Sequence, residues 1–143
     1  MFRYKSKLDF YKWLAGFIDG EGCIGVHRRK GICPTGPVLT ISNTNGRLLK
    51  EIKSNLGFGN FSKRFKKNPK HKNSHTLGVV GINCQLILKK IFPYLRGKKK
   101  QAELVLRMTL NSKEHQTRRL PENEKRLRRI ISKKLLKLNK KGK

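Results

Sequence analysis

The stretch GFIDGEG, residues 16 to 22, sets two carboxylates, Asp19 and Glu21, among three glycines at the end of an apolar run. Acids are scarce: the chain holds 8 Asp and Glu against 36 Lys and Arg. Carboxylate, water and phosphate oxygens are the ligands Mg²⁺ prefers. A cation so held stabilises charge on a phosphate and activates water, which is what phosphodiester hydrolysis needs. Gly16 and Gly20 are four residues apart and share one helix face, with Ala15 as a small neighbour. A small-residue face of that kind lets a second helix approach to backbone contact. Two copies packed around a two-fold axis would bring Glu21 close to its symmetry mate. Each carboxylate would then face a like charge at the negative end of a helix dipole, and a divalent cation removes both objections.

The bulk numbers point to the same class of partner. A formal charge of +28 on 143 residues repels itself in a compact chain, so a polyanion is the natural counterpart, nucleic acid before an acidic membrane surface. The length suits one domain, and a hydrophobic content of 36% implies a modest core or one completed by a partner chain. Cys23, Cys33 and Cys84 are odd in number and widely spaced, which argues against a disulfide framework or zinc ribbon and fits a reducing compartment. No run is long enough for a signal peptide or a membrane span, so the expectation is an intracellular, soluble protein with no membrane partner.

The elements that must position these residues follow from periodicity. DFYKWLAGFID (9 to 19) carries Phe10, Trp13, Leu14, Phe17 and Ile18 at helical spacing, with Asp9 as its cap. CIGVHRRK (23 to 30) and PVLTISN (37 to 43) alternate as strands across a turn-rich GICPTG. Alternation puts Ile24, Val26, Leu39 and Ile41 on one face, and Gly25, His27, Arg29, Val38, Thr40 and Ser42 on the other. NGRLLKEIKSNLGFG (45 to 59) reads as a helix ending at Gly57, with Leu48, Leu49, Ile52 and Leu56 as its stripe. A third strand spans 60 to 67, with Phe61 and Phe65 inward and Asn60, Ser62, Arg64 and Lys66 outward. The fourth strand covers 75 to 83. Helices are expected over 84 to 94, through Leu86, Ile87, Ile91 and Phe92, and over 97 to 111. A last helix starts near Pro121, with Leu127, Ile130, Ile131, Leu135 and Leu138 as its stripe and a fraying basic tail. Glu122 and Glu124 suit the positive end of its dipole.

The result is a single α+β domain over 1–143, with a four-stranded antiparallel sheet and extra C-terminal helices over about 121–143. One sheet face meets the helices. The other is polar and open, as an antiparallel sheet tolerates, and side chains on such a surface can read base edges in a DNA major groove. His71 and His75 lie in a polar loop whose Pro69, Asn73 and Ser74 oppose helical metal spacing; a DNA contact from His75 is the better expectation.

LAGFIDGEG (14 to 22) resembles the signature of the LAGLIDADG homing endonucleases in the form with one motif per chain. LRGKKKQAELVL (95 to 106) is similar to the segment those enzymes carry near the active site, and the α-β-β-α-β-β-α order matches their fold over about 8–112. The resemblance implies a homodimeric, site-specific double-strand DNA endonuclease that uses Mg²⁺ (or Mn²⁺), cuts a pseudo-palindromic target across the minor groove and leaves 3′ overhangs. It implies Glu21 and the Gly20 carbonyl as metal ligands, Lys98 as the active-site lysine (Lys99 or Lys100 if the helix is rotated), Asn43 as the group orienting water, and Arg47 as a further basic group. It makes Asp19 structural. Ala15, Gly16, Asp19 and Gly20 would line the dimer interface. Two other readings stand beside it. One is an RNA maturase or regulator on the same scaffold, with intron RNA as partner; the other is a basic structural RNA-binding protein, which leaves the glycine-flanked acids unexplained.

Overall fold

The structure, a computed structural model, describes residues 4–28, 33–110 and 120–141. The chain runs α1 (Lys7–Glu21), β1 (Gly22–His27), β2 (Gly36–Asn43), α2 (Gly46–Leu56), β3 (Asn60–Arg64), β4 (Ser74–Val80), α3 (Gly81–Ile91), a 3₁₀ turn (Phe92–Tyr94), α4 (Lys99–Leu106) and α5 (Glu122–Lys141). The strands form one four-stranded sheet in the order β1-β2-β4-β3, with each neighbouring pair antiparallel. The expected α+β architecture stands, and the helices cover one face.

α1 starts one turn earlier than its apolar pattern suggests. Ser6, not Asp9, is the cap: its hydroxyl accepts from the Asp9 N–H at 3.1 Å, and Asp9 sits in the first turn. Phe10, Leu14 and Ile18 pack beneath the sheet residues Ile24, Leu39, Ile41 and Leu77, all essentially inaccessible. Full burial of side chains this size contributes about 1.5–3 kcal/mol each. α2 opens at Asn45, whose side chain accepts from Leu48 N–H, and closes at Gly57 in the left-handed region, φ +83°. That backbone conformation favours glycine.

Several outward and inward assignments need correction. β3 ends at Arg64, so Phe65 falls in the following turn and is 72% exposed rather than inward. Lys66 likewise lies beyond the strand, its N–H donating to Asn73 Oδ1 at 3.0 Å. α3 begins at Gly81, earlier than expected, and rotates Cys84, Ile87, Leu88 and Ile91 inward while Leu86 points out. In α5 Ile130 also points out, and Ile131 and Leu135 carry the buried stripe. The basic tail does not fray at 133: the helix continues to Lys141, because Leu135 is buried and Asn139 Nδ2 donates to the Ile24 carbonyl at 3.2 Å.

α5 is docked by a buried ion pair that periodicity does not reveal. Arg128 Nε meets Glu124 Oε1 at 3.2 Å, while its other nitrogens donate to the Thr35 carbonyl at 2.7 Å and the Thr109 carbonyl at 3.0 Å. Glu124 also accepts from Thr109 N–H. With each guanidinium nitrogen bonded and the carboxylate accepting twice at Oε1, the pair ties the C-terminal helix to the loop joining β1 and β2 and to the residues after α4.

Candidate active site and nucleic-acid interface

The end of α1 turns directly into β1, and the chain closes there without a loop. Gly22 N–H donates to the Ile18 carbonyl. A Cβ at Gly22 would stand 2.9 Å from both that oxygen and Ile18 Cγ2, so this sharp helix-to-strand corner requires glycine for close approach rather than for an unusual φ. The corner leaves Glu21, the last residue of α1, exposed at the sheet edge.

Asp19 faces the other way and is fully used. Its carboxylate accepts from Arg96 N–H at 2.8 Å and Lys98 N–H at 2.9 Å, clasping the backbone of the LRGK segment to the end of α1. A Cβ at Gly97 would lie 3.6 Å from Asp19 Oδ1, an ordinary contact that leaves the clasp room. Lys98 then reaches back: its Nζ donates to the Asp19 carbonyl at 2.6 Å. An ammonium on a terminal carbonyl is favoured by the negative end of the helix dipole. The structural role expected of Asp19 therefore has a concrete form. From its place two residues before Glu21, it fixes Lys98, 79 positions away in the chain.

The β1–β2 register pairs Gly22 with Ile41, so Asn43 stands at the same end of the sheet as Glu21. Asn43 Oδ1 accepts from Asn45 N–H at 2.8 Å and so shapes the turn into α2. Arg47 is exposed in the first turn of that helix. Glu21, Asn43, Arg47 and Lys98 are thus gathered at one end of the sheet, with Gly20 supplying a carbonyl one residue before Glu21.

The donors fit a divalent cation in part. Glu21 is exposed and makes no hydrogen bond or ion pair among the described residues, whereas Glu103, Glu122 and Glu124 are each paired with a base. A free hard carboxylate beside a backbone carbonyl is suitable chemistry for Mg²⁺. Among the described residues there is no cluster of three or more His, Cys, Asp or Glu, so one chain supplies too few ligands for a closed site. Among the described residues the arrangement is therefore an open one, with coordination positions left for other oxygen ligands.

The open face of the sheet is set by register. Cys23–Thr40–Gly78–Asn60 forms one cross-strand row, Ser42–Thr76–Ser62 the next, and Gly25–Val38–Val80 a third, with His27 and Arg64 at the margins. The expected readers Gly25, His27, Val38, Thr40, Ser42, Asn60, Ser62 and Arg64 all belong to this face. Arg29 lies outside the described residues. Within the rows Ser42 Oγ and Thr76 Oγ1 share a hydrogen bond at 3.2 Å. Cys23, Ser74, Thr76, Gly78 and Val80 are additional members. The alternation of β4 around Leu77 and Val79 could have found four of them.

His75 is the exception. It pairs with Asn43 and Lys63, shares the parity of Leu77 and Val79, and lies on the helix side. Its ring stacks on Phe61, centroids 5.6 Å apart, and roofs the start of α2: a Cβ on Gly46 would sit 2.8 Å from three ring atoms. Its Nδ1 is buried with no partner among the described residues. The expected DNA contact is therefore corrected to a packing position; parity with Leu77 was the available signal.

The glycine face of α1 is bare. Gly16 and Gly20 are exposed, and a Cβ on either would meet nothing within 4 Å. Among the described residues nothing demands glycine there. Ala15 is buried in the core instead, which removes it from an outward-facing stripe.

Comparison with known proteins adds the following. The family model described as LAGLIDADG endonuclease matches residues 14–105. DNA endonuclease I-CvuI of Chlorella vulgaris is 35% identical over 105 residues, 68% of this chain and 62% of that protein. Probable intron-encoded endonuclease Cox1-I1b of Schizosaccharomyces pombe is 34% identical over 107 residues, 66% of this chain and 27% of that protein. The chain thus spans less than two thirds of the length of either curated relative. Among solved structures, homing endonuclease I-CvuI in complex with its target in the presence of calcium superposes with a TM-score of 0.68 at 27% identity, covering 92% of this chain and 83% of that one. The archaeal intron-encoded homing endonuclease I-Vdi141I, complexed with DNA, superposes at 0.66 with 19% identity over 91% of this chain and 84% of that one, a likeness of fold.

Proposed function

The chain belongs to the LAGLIDADG endonuclease family, and on that premise we propose that it is a site-specific double-strand DNA endonuclease acting as a homodimer. The observation that carries the reading is the exposed Glu21, with no partner among the described residues, two positions after the Asp19 carbonyl on which the Lys98 amine docks at 2.6 Å, at the end of an open polar sheet. The duplex lies on that face, and side chains on the three rows read base edges of one half-site. Two-fold pairing of α1 through Gly16 and Gly20 sets two such sheets end to end, so the target is a pseudo-palindrome cut to leave 3′ overhangs. I-CvuI, a relative, is named as bound to its DNA target, which supports a duplex partner here.

Glu21 and the Gly20 carbonyl would hold Mg²⁺ or Mn²⁺, which when bound supplies positive charge at the scissile phosphate and an acidified water. The chain's own groups do the rest. Lys98, held by the Asp19 clasp, places a cation beside the phosphate. The Asn43 amide, fixed at the turn by Asn45 N–H, orients water. Arg47 adds exposed charge to the same end of the sheet. The test is assembly coupled to cleavage. Sedimentation of the wild type should give a dimer, and Gly16→Leu, whose Cβ meets nothing within 4 Å, should give a folded monomer that no longer cuts both strands. A dimer unaffected by that substitution would overturn the interface.

A further inference from the structure

Resting on the duplex-binding reading above, we infer that the outer face of α5 is a second phosphate-backbone contact, a ridge that grips the same DNA alongside the sheet. Ten Lys and Arg follow Glu124 and no acid does. Those the fold uses are accounted for: Arg128 is buried against Glu124, and Lys125 pairs with Glu122. Arg126, Arg129, Lys133, Lys137 and Lys140 are different. They recur at three and four residues, all are exposed, and none makes a hydrogen bond or ion pair among the described residues. Like charges at this spacing repel along a helix and destabilise it. A helix that keeps them, with its buried stripe on the opposite side, gains from an external polyanion.

The placement says which polyanion. Asn139 Nδ2 donates to the Ile24 carbonyl, Arg28 Nη2 to the Ser132 carbonyl at 3.3 Å, and Arg128 Nη1 to the Thr35 carbonyl. Moving outward along β1 from the Glu21 end therefore means moving back along α5 from 139 to 132. The helix therefore runs antiparallel beside the sheet's edge strand from Ile24 to Arg28. A ridge from Arg126 to Lys140 spans about 21 Å at 1.5 Å per residue. Duplex DNA presents one phosphate charge per about 1.7 Å of axis, so a ridge of this length meets several phosphates of the DNA that lies on the sheet. The contact carries charge but no base reading: it adds affinity on any sequence.

The experiment is a salt titration of binding to a 40-base-pair duplex without magnesium, using Glu21→Gln as background so that cleavage plays no part. Each phosphate contact adds about 0.9 to the slope of log affinity against log salt. Changing Arg129, Lys133, Lys137 and Lys140 to Gln should lower the slope by about 3 to 4. The pairs Arg129/Lys133 and Lys137/Lys140, changed separately, should each remove about half, which keeps the test alive if the fourfold variant folds poorly. Removing the same charge elsewhere, at Lys5, Lys53, Lys89 and Lys90, should change the slope by less than 1. A ridge variant with an unchanged slope overturns the inference. So does an equal loss in the control, or a loss confined to a folded RNA probe of the same length. Failure of the endonuclease reading looks different: no duplex is ever cut, while the slope change persists.

Discussion

Asp19→Asn tests the clasp that holds Lys98, the lysine proposed for the active site. The substitution keeps the size of the side chain and removes its charge. One carboxylate oxygen becomes an amide NH₂, which faces a backbone N–H with its own hydrogens, so either Arg96 N–H or Lys98 N–H loses its acceptor. A hydrogen bond to a charged group contributes about 1.5–3 kcal/mol, and the surviving bond falls to the neutral range of about 0.5–1.5 kcal/mol. Asp19 is half-buried and the Arg96 bond is exposed, so water recovers part of the loss; the expected net cost is about 2 kcal/mol. For a chain of this size that lowers Tm by roughly 6–10 °C. The release of Lys98 adds a kinetic effect. A misplacement near 1 Å of a group beside the reacting phosphate costs up to about 100-fold in rate. Thermal melts, cleavage rates and duplex affinity measured on one preparation separate these. The reasoning predicts a lower Tm and a slower cut with affinity nearly unchanged, because the sheet is untouched. A melt within 1 °C of wild type with an unchanged rate would refute it. A parallel loss of affinity would show that the clasp supports the whole fold rather than Lys98.

Gly22→Ala should destabilise by about 1–3 kcal/mol in denaturant titrations, since the new methyl meets the Ile18 carbonyl and side chain at 2.9 Å and the oxygen cannot move aside. His75→Phe keeps the stack on Phe61 and removes the buried, unpartnered Nδ1, so Tm should rise, by an amount equivalent to about 1 kcal/mol; a fall would reveal a bound water on that nitrogen. Burial pushes the Cys84 thiol up to about 12, whereas Cys23 is exposed on the open face. The thiolate is the reactive form, so iodoacetamide at pH 8 should label Cys23 in the native protein and Cys84 only after unfolding. The sign on stability follows: above about pH 9 the unfolded Cys84 loses its proton while the folded one keeps it, so stability should fall as pH rises from 9 towards 12.

Much of the fold was legible because alternation and helical spacing report burial. Ile24, Leu39, Ile41 and Leu77 could be placed on the core face from their neighbours alone, and Gly57 marked the end of α2. The errors share a cause: local pattern does not register tertiary partners. His75 looks polar and loop-bound, but pairing with Asn43 fixes its parity and turns it towards α2. Phe65 looks like a core residue until the strand is seen to stop at Arg64. The tail of α5 is too basic to predict as helix, yet Leu135 and the Asn139 bond to β1 hold it. At the site, the glycine-flanked acids announced themselves by their rarity. The resemblance assigned Asp19 to structure and Glu21 to the metal, but the form of the Asp19 clasp was not legible, because it is made with backbone N–H groups of residues 96 and 98, nearly eighty positions away.

The central claim is that Glu21 is the acid on which hydrolysis of the duplex depends. The most direct measurement incubates wild type and Glu21→Gln with a randomised duplex library and Mg²⁺, then sequences the cut ends. The account predicts wild-type ends with 3′ overhangs centred on a pseudo-palindrome. It predicts a rate lower by about 1,000-fold for Glu21→Gln, since losing the charge stabilisation a bound cation provides costs several kcal/mol. Duplex binding should remain intact in the variant. Wild-type protein that enriches no cut sequence, or a Glu21→Gln variant that cuts as fast as wild type, would contradict it.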